Sequence, residues 1–66
     1  MSHSGWFHLD VEEILAETDN AFLCETEDAE IWIPKSQIKD AGDYEDGDEN
    51  VTISVTEWFV KKEGLA

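Results

Sequence analysis

The residues of this 66-residue chain that could do chemistry are its carboxylates, two histidines and one cysteine. Asp40, Asp43, Glu45, Asp46, Asp48 and Glu49 place six acids within the ten residues 40 to 49. That density first suggests calcium, because hard cations take several carboxylate and carbonyl oxygens. The register does not fit. With Gly47 as the turn glycine of an EF-hand loop, the first and third ligand positions fall on Gly42 and Tyr44, neither of which carries a carboxylate. Zinc needs soft ligands at matched spacing, and His3, His8 and Cys24 form no paired motif. His8 reads as a strand-face residue, His3 as part of a flexible tail over residues 1 to 5, and Cys24 as a small core hydrophobe rather than a nucleophile. No serine sits in a strand-turn-helix elbow, and no glycine-rich loop could cradle phosphate. Paired carboxylates such as Glu12 with Glu13, or Asp46 with Asp48, could share acid and base work. That work also needs a concave, apolar pocket, which so short a chain can scarcely enclose. The expectation is a non-enzymatic protein with no metal and no cofactor.

The elements that would hold these residues must fit into one small domain, residues 1 to 66. Asp and Glu number 17 against 4 lysines, with no arginine, giving a net charge of −13. A protein that binds nucleic acid directly needs clustered cations to displace counterions, and an anionic membrane would repel this chain for the same reason. Disorder does not follow from the charge, since 41% of the residues are hydrophobic and they fall in patterned runs. A single cysteine excludes an internal disulfide framework, and the first residues lack the basic and apolar regions of a signal peptide, so a cytoplasmic location is expected.

The clearest element is the alternation of Val51, Ile53 and Val55 with Thr52, Ser54 and Thr56, which predicts a strand with one dry face. Thr56 then caps a helix from Glu57 to about Glu63, with an acid in the first turn, Lys61 and Lys62 in the last, and Gly64 just past its end. A Schellman ending would bring Leu65 onto Val60. Residues 29 to 33 read as a strand ended by Pro34, with Lys35 to Ile38 as a short edge or turn. Residues 20 to 25 read as its hairpin partner through Thr26-Glu27-Asp28. Residues 9 to 17 are ambiguous. Asp10 with Glu13 mimics a capping box, and Val11, Ile14 and Leu15 would share a helical face. Trp6, Phe7, Leu9 and Val11 look strand-like, and the turn Thr18-Asp19-Asn20 leads directly into the next strand. The fold class is therefore mainly β with a C-terminal helix (α+β), as a small antiparallel sheet or SH3-like partial barrel of four to five strands, with residues 39 to 50 as a solvated acidic loop.

Trp32 alternates with Ile31 and Ile33 and must face away from both. It either covers the second face of a barrel or stands exposed as an interface anchor, and Trp6 has the same two options. The charge also calls for an account, because a net charge of about 2 to 8 suffices to keep a small domain soluble. Outward carboxylates at i and i+2 on a strand lie about 6.6 Å apart, comparable with neighbouring phosphates once winding is added to an axial rise of about 3.4 Å per nucleotide. Glu25, Glu27, Asp28 and Glu30 around the hairpin, and Asp40, Asp43, Glu45, Asp46, Asp48 and Glu49 in the loop, could present a charge row that a DNA channel accepts, with Trp32 as an aromatic contact. The expected partner is a basic DNA-binding protein, approached by electrostatic steering.

Ile31-Trp32-Ile33-Pro34-Lys35-Ser36-Gln37-Ile38, together with the segment from Val51 through Glu57-Trp58-Phe59-Val60-Lys61-Lys62-Glu63-Gly64-Leu65, resembles small acidic proteins of phages and other mobile elements. The likeness spans residues 14 to 65. It implies an all-β plus helix fold and a phage origin, and carries no binding residue with it. Phage proteins of this size and charge include anti-CRISPR and anti-restriction inhibitors that look like DNA to their targets. The expected function is thus an acidic DNA-mimic inhibitor acting as a monomer on a host defence complex such as a CRISPR effector. The competing expectation is an SH3-like interaction or assembly module working through Trp32, Trp58 and an edge strand.

Overall fold

A computed structural model describes residues 5 to 64; His3 and Leu65, with their expected tail and helix-end roles, lie outside the described residues. Four strands, β1 (Trp6–Glu17), β2 (Ala21–Glu25), β3 (Glu30–Pro34) and β4 (Glu49–Thr56), precede one helix, α1 (Glu57–Glu63). All neighbours are antiparallel, in the order β3-β2-β1-β4. The sheet is open. Of the two forms expected from the sequence, the structure is the small antiparallel sheet of four strands, and β3 and β4 remain at opposite edges instead of meeting as in a barrel.

Both hairpins are built by the same local chemistry. In Thr18-Asp19-Asn20-Ala21 and Thr26-Glu27-Asp28-Ala29, the threonine amide donates to the alanine carbonyl at 2.8 Å. The threonine hydroxyl accepts from the alanine amide, at 3.0 Å in the first turn and 3.2 Å in the second. A hydroxyl that substitutes for a backbone partner fixes a tight reversal and sets the register of both strands.

β1 is the reason residues 9 to 17 read two ways. Phe7, Leu9 and Val11 face inward opposite Val55, Ile53 and Val51, as alternation requires. The next inward residue is Ile14, opposite Cys24, so the phase slips by one between Val11 and Ile14. Asn50 takes φ 53 in the facing part of β4 at this place. A bulge follows, with two residues, Leu15 and Ala16, set against Leu23 alone. The i, i+3 spacing that mimics a helix is therefore a twelve-residue strand that turns on its axis while it crosses the sheet.

One face is dry. Leu9, Val11, Ile14, Phe22, Cys24, Ile33, Ile53 and Val55 are covered by Phe59 and Val60 of α1 and by Ile38. Of the adjacent aromatics in α1, Phe59 faces the sheet and Trp58 faces out. Thr56 caps the helix as expected, accepting from the Phe59 amide at 3.2 Å while donating to Gln37 Oε1 at 2.6 Å. Gly64 ends it at φ 71, its amide reaching the Lys61 carbonyl. Lys35 to Gln37 form a 3-10 turn. The acidic segment is less open than the sequence suggests: Ala41 to Asp43 form a second 3-10 turn, Tyr44 packs on the core, its hydroxyl donating to the Thr52 carbonyl at 3.3 Å, and β4 already begins at Glu49.

Cys24 is fully buried, and desolvation pushes its thiol up to about 11. A thiol reagent in mildly alkaline buffer is expected to label it only as fast as the core opens, and at once in denaturant. Rapid labelling under native conditions would show that the sheet breathes locally around β2.

Candidate functional site: an acidic row on the open face of the sheet

Among the described residues, the face of the sheet away from α1 carries no helix or strand. Here the register of three ladders converges on one residue type. Glu25 lies opposite Glu30 on β3 and opposite Glu13 on β1, and Glu13 lies opposite Glu49 on β4. Directly opposed residues share a face, so four glutamates cross all four strands as Glu30-Glu25-Glu13-Glu49. With strands about 4.8 Å apart, the row runs for about 14 Å. Glu30 and Glu49 are exposed, Glu25 and Glu13 half-buried between their neighbours. Two residues further along, Trp32 lies opposite Leu23 and Leu23 opposite Ala16, with the bulged Leu15 exposed beside them. Trp32 is 51% exposed, so it is a surface aromatic at the border of the row and does not close a second core.

The candidate residues are thereby sorted. Glu25, Glu30 and Glu49 enter the row. Glu27 and Asp28 form the tip of the hairpin that follows Glu25. Glu27 shares a shallow depression with Asp10, Glu12, Asn50 and Thr52, and Asp10 accepts from the Thr52 hydroxyl at 3.1 Å. Asp46 and Asp48 lie along the C-terminal half of β1, where the Gly47 amide donates to the Ile14 carbonyl and the Ile14 amide to the Asp48 carbonyl, both at 2.8 Å. The Asp48 carboxylate accepts the Glu45 amide at 3.0 Å, which fixes the turn between them. Asp40 and Asp43 stand apart. They follow Lys39, whose amide bonds the Ser54 carbonyl at 2.9 Å, and so sit along the outer edge of β4. The spacing expected along a strand is thus replaced by a spacing across strands. Sequence reasoning missed Glu13, one of the two inner members of the row, because its neighbours are far away in the chain.

Among the described residues, no ion pair involves a glutamate of the row. The one ion pair among the described residues is Lys35 with Glu17 at 2.6 Å. That bond holds the Glu17 carboxyl below its usual range, burial opposing it and the Asp46 amide adding to it. Lys35 also places its ammonium 4.9 Å from the Phe22 ring, and Lys62 sits 5.1 Å from that of Trp58 on α1. Lys61 and Lys62 belong to α1, where Glu57 and Glu63 balance them.

No group of three or more His, Cys, Asp or Glu among the described residues is arranged to hold a metal ion. His8 lies exposed on the strand, its Nδ1 3.2 Å from Ser54 Oγ. No described helix is long and apolar enough to cross a membrane. The chain matches no protein-family model, no curated protein and no solved structure.

Proposed function

We propose that the chain is a non-enzymatic, acidic DNA-mimic inhibitor of phage or mobile-element origin that occupies the DNA channel of a basic host protein, a CRISPR effector or restriction complex being the kind of target that fits. The observation that carries this reading is the row Glu30-Glu25-Glu13-Glu49. Like charges directly opposite each other in a sheet destabilise it, and a sheet retains three such contacts in succession at a cost to its own stability. A rigid line of carboxylates without interleaved cations is what a channel lined with Lys and Arg accepts in place of phosphates. The hairpin tip at Glu27 and Asp28 adjoins the row through the chain between Glu25 and Glu30, and the turn holding Asp46 and Asp48 adjoins it through Glu49.

The test is competition. A purified restriction enzyme or CRISPR effector complex is incubated with the chain and with duplex DNA at low and at moderate salt. Mimicry gives binding that DNA displaces, that blocks DNA loading, and that falls steeply as salt rises. Binding that survives moderate salt and ignores DNA supports the interaction-module reading, for which the exposed Trp32 and Leu15, with the half-buried Leu23 between them, supply an apolar strip. In that case Trp32→Ala removes the affinity.

A further inference from the structure

The two outer strands of the sheet are finished differently. Beyond β4, Ile38 bridges Val55 and the Lys39 amide bonds Ser54, so that edge is covered. Among the described residues, β3 has no strand on its far side. Its ladder with β2 is bracketed by two backbone bonds, Thr26 amide to Ala29 carbonyl at 2.8 Å and Lys35 amide to Asn20 carbonyl at 2.7 Å. Bonded and non-bonded pairs alternate along an antiparallel ladder. The pairs Phe22–Ile33 and Cys24–Ile31 therefore exchange bonds, whereas Leu23–Trp32 and Glu25–Glu30 do not. The amide and carbonyl of Glu30 and of Trp32 point outward from the sheet, and among the described residues no loop or turn bonds them.

We propose that this edge accepts an extended strand from a partner, and that the strand carries Lys or Arg at alternate positions. A strand laid beside β3 exchanges backbone bonds with Glu30 and Trp32, and the residues opposite them project on the same open face. The residue opposite Glu30 becomes the next member of the glutamate row. An acid there is rejected and a cation is favoured. The residue opposite Trp32 meets an exposed indole, over which a cation is again attracted. A second copy of this chain is the wrong occupant. It brings a further −13 of charge, and antiparallel pairing centred on Trp32 would set Glu30 against Pro34, which has no amide proton to give. The inference stands apart from mimicry, since a basic strand can pair here whether or not its owner binds DNA.

The probe is a synthetic octapeptide alternating lysine and valine, compared with the same peptide N-methylated at its lysine amides. The unmodified peptide is expected to slow hydrogen exchange at the Glu30 and Trp32 amides. Methylation removes the bonds that the ladder needs while leaving every charge in place, and is expected to weaken binding by about tenfold or more. Glu30→Pro deletes one outward amide without touching the bonds to β2, and is expected to cost about as much, whereas Glu30→Gln keeps the amide and loses only the ionic part. If Glu30→Pro does not fold, the methylated peptide on the native chain carries the test. Equal binding of the two peptides, or binding with no change in exchange at Glu30 and Trp32, overturns strand addition and leaves only diffuse attraction between opposite charges. Failure here leaves the DNA-competition result unaffected, so the two proposals are separable.

Discussion

Replacing Glu13, Glu25, Glu30 and Glu49 together by glutamine is expected to raise the melting temperature and, in the same molecule, to abolish salt-sensitive binding to a basic DNA-binding protein. The row contains three directly opposed like-charged pairs. Each such pair is worth a few tenths to about 1 kcal/mol, so relieving all three stabilises the sheet by roughly 1 to 2 kcal/mol at low salt. For a domain of this size that is an increase of the order of 5 to 15 °C. The gain should shrink in concentrated salt, where the Debye length falls to about 3 Å. Thermal scans at two ionic strengths, run beside the DNA-competition assay, read both effects. A variant no more stable than the parent at low salt would mean that the four carboxylates splay too far apart to repel. Affinity retained by the variant would remove the row from the mechanism. Asp40→Asn with Asp43→Asn, compared with Glu13→Gln with Glu25→Gln so that two charges are removed in each, serves as the control, since both aspartates lie off the row at the edge of β4 and should leave binding nearly intact.

Phe22→Ala is expected to leave the chain largely unfolded at temperatures where the parent is folded. Phe22 is 1% exposed, lies opposite Ile33 on β3, and has the Lys35 ammonium over its ring. Truncating a buried phenylalanine costs about 3 to 5 kcal/mol, whereas a chain of this length has only about 3 to 10 kcal/mol of stability to lose. Loss of amide shift dispersion and of a cooperative thermal transition would report it. Trp32→Ala makes the contrast: the side chain is half exposed on the open face, so its removal should change stability by no more than about 0.5 kcal/mol. If Phe22→Ala melted cooperatively within a few degrees of the parent, the dry face would be far more plastic than its close packing implies.

What could be read from the sequence is what depends on neighbours in the chain. β4 follows from the alternation of Val51, Ile53 and Val55, and the helix after it from Thr56 and Gly64, because capping chemistry acts within one turn. Both hairpins are legible for the same reason. β1 is not, since its phase slip at Val11 to Ile14 and its bulge at Leu15 and Ala16 are imposed by β4 and β2 on its two sides. The acidic row is illegible for a related reason. Counting acids along the chain singles out residues 40 to 49, but membership depends on register, which joins Glu13 to Glu25 and Glu49 and leaves Asp40 and Asp43 outside. The surface aromatic at Trp32 was legible as an orientation opposite to Ile31 and Ile33. Its exposure was decided only by the sheet staying open.

The strand order also bears on how the chain folds. β1, β2 and β3 form a meander of chain neighbours joined by two tight turns, whereas the strand on the other side of β1 and the helix that roofs the sheet begin only at Glu49 and Glu57. Short loops close at less entropic cost than long ones, so a meander that forms first leaves Leu9, Ile14, Phe22 and Ile33 uncovered until residues 49 to 63 dock. The carboxylates of β1 to β3 give any two chains in that state the same sign of charge, so the groups that burden the finished sheet also oppose association of partly folded copies.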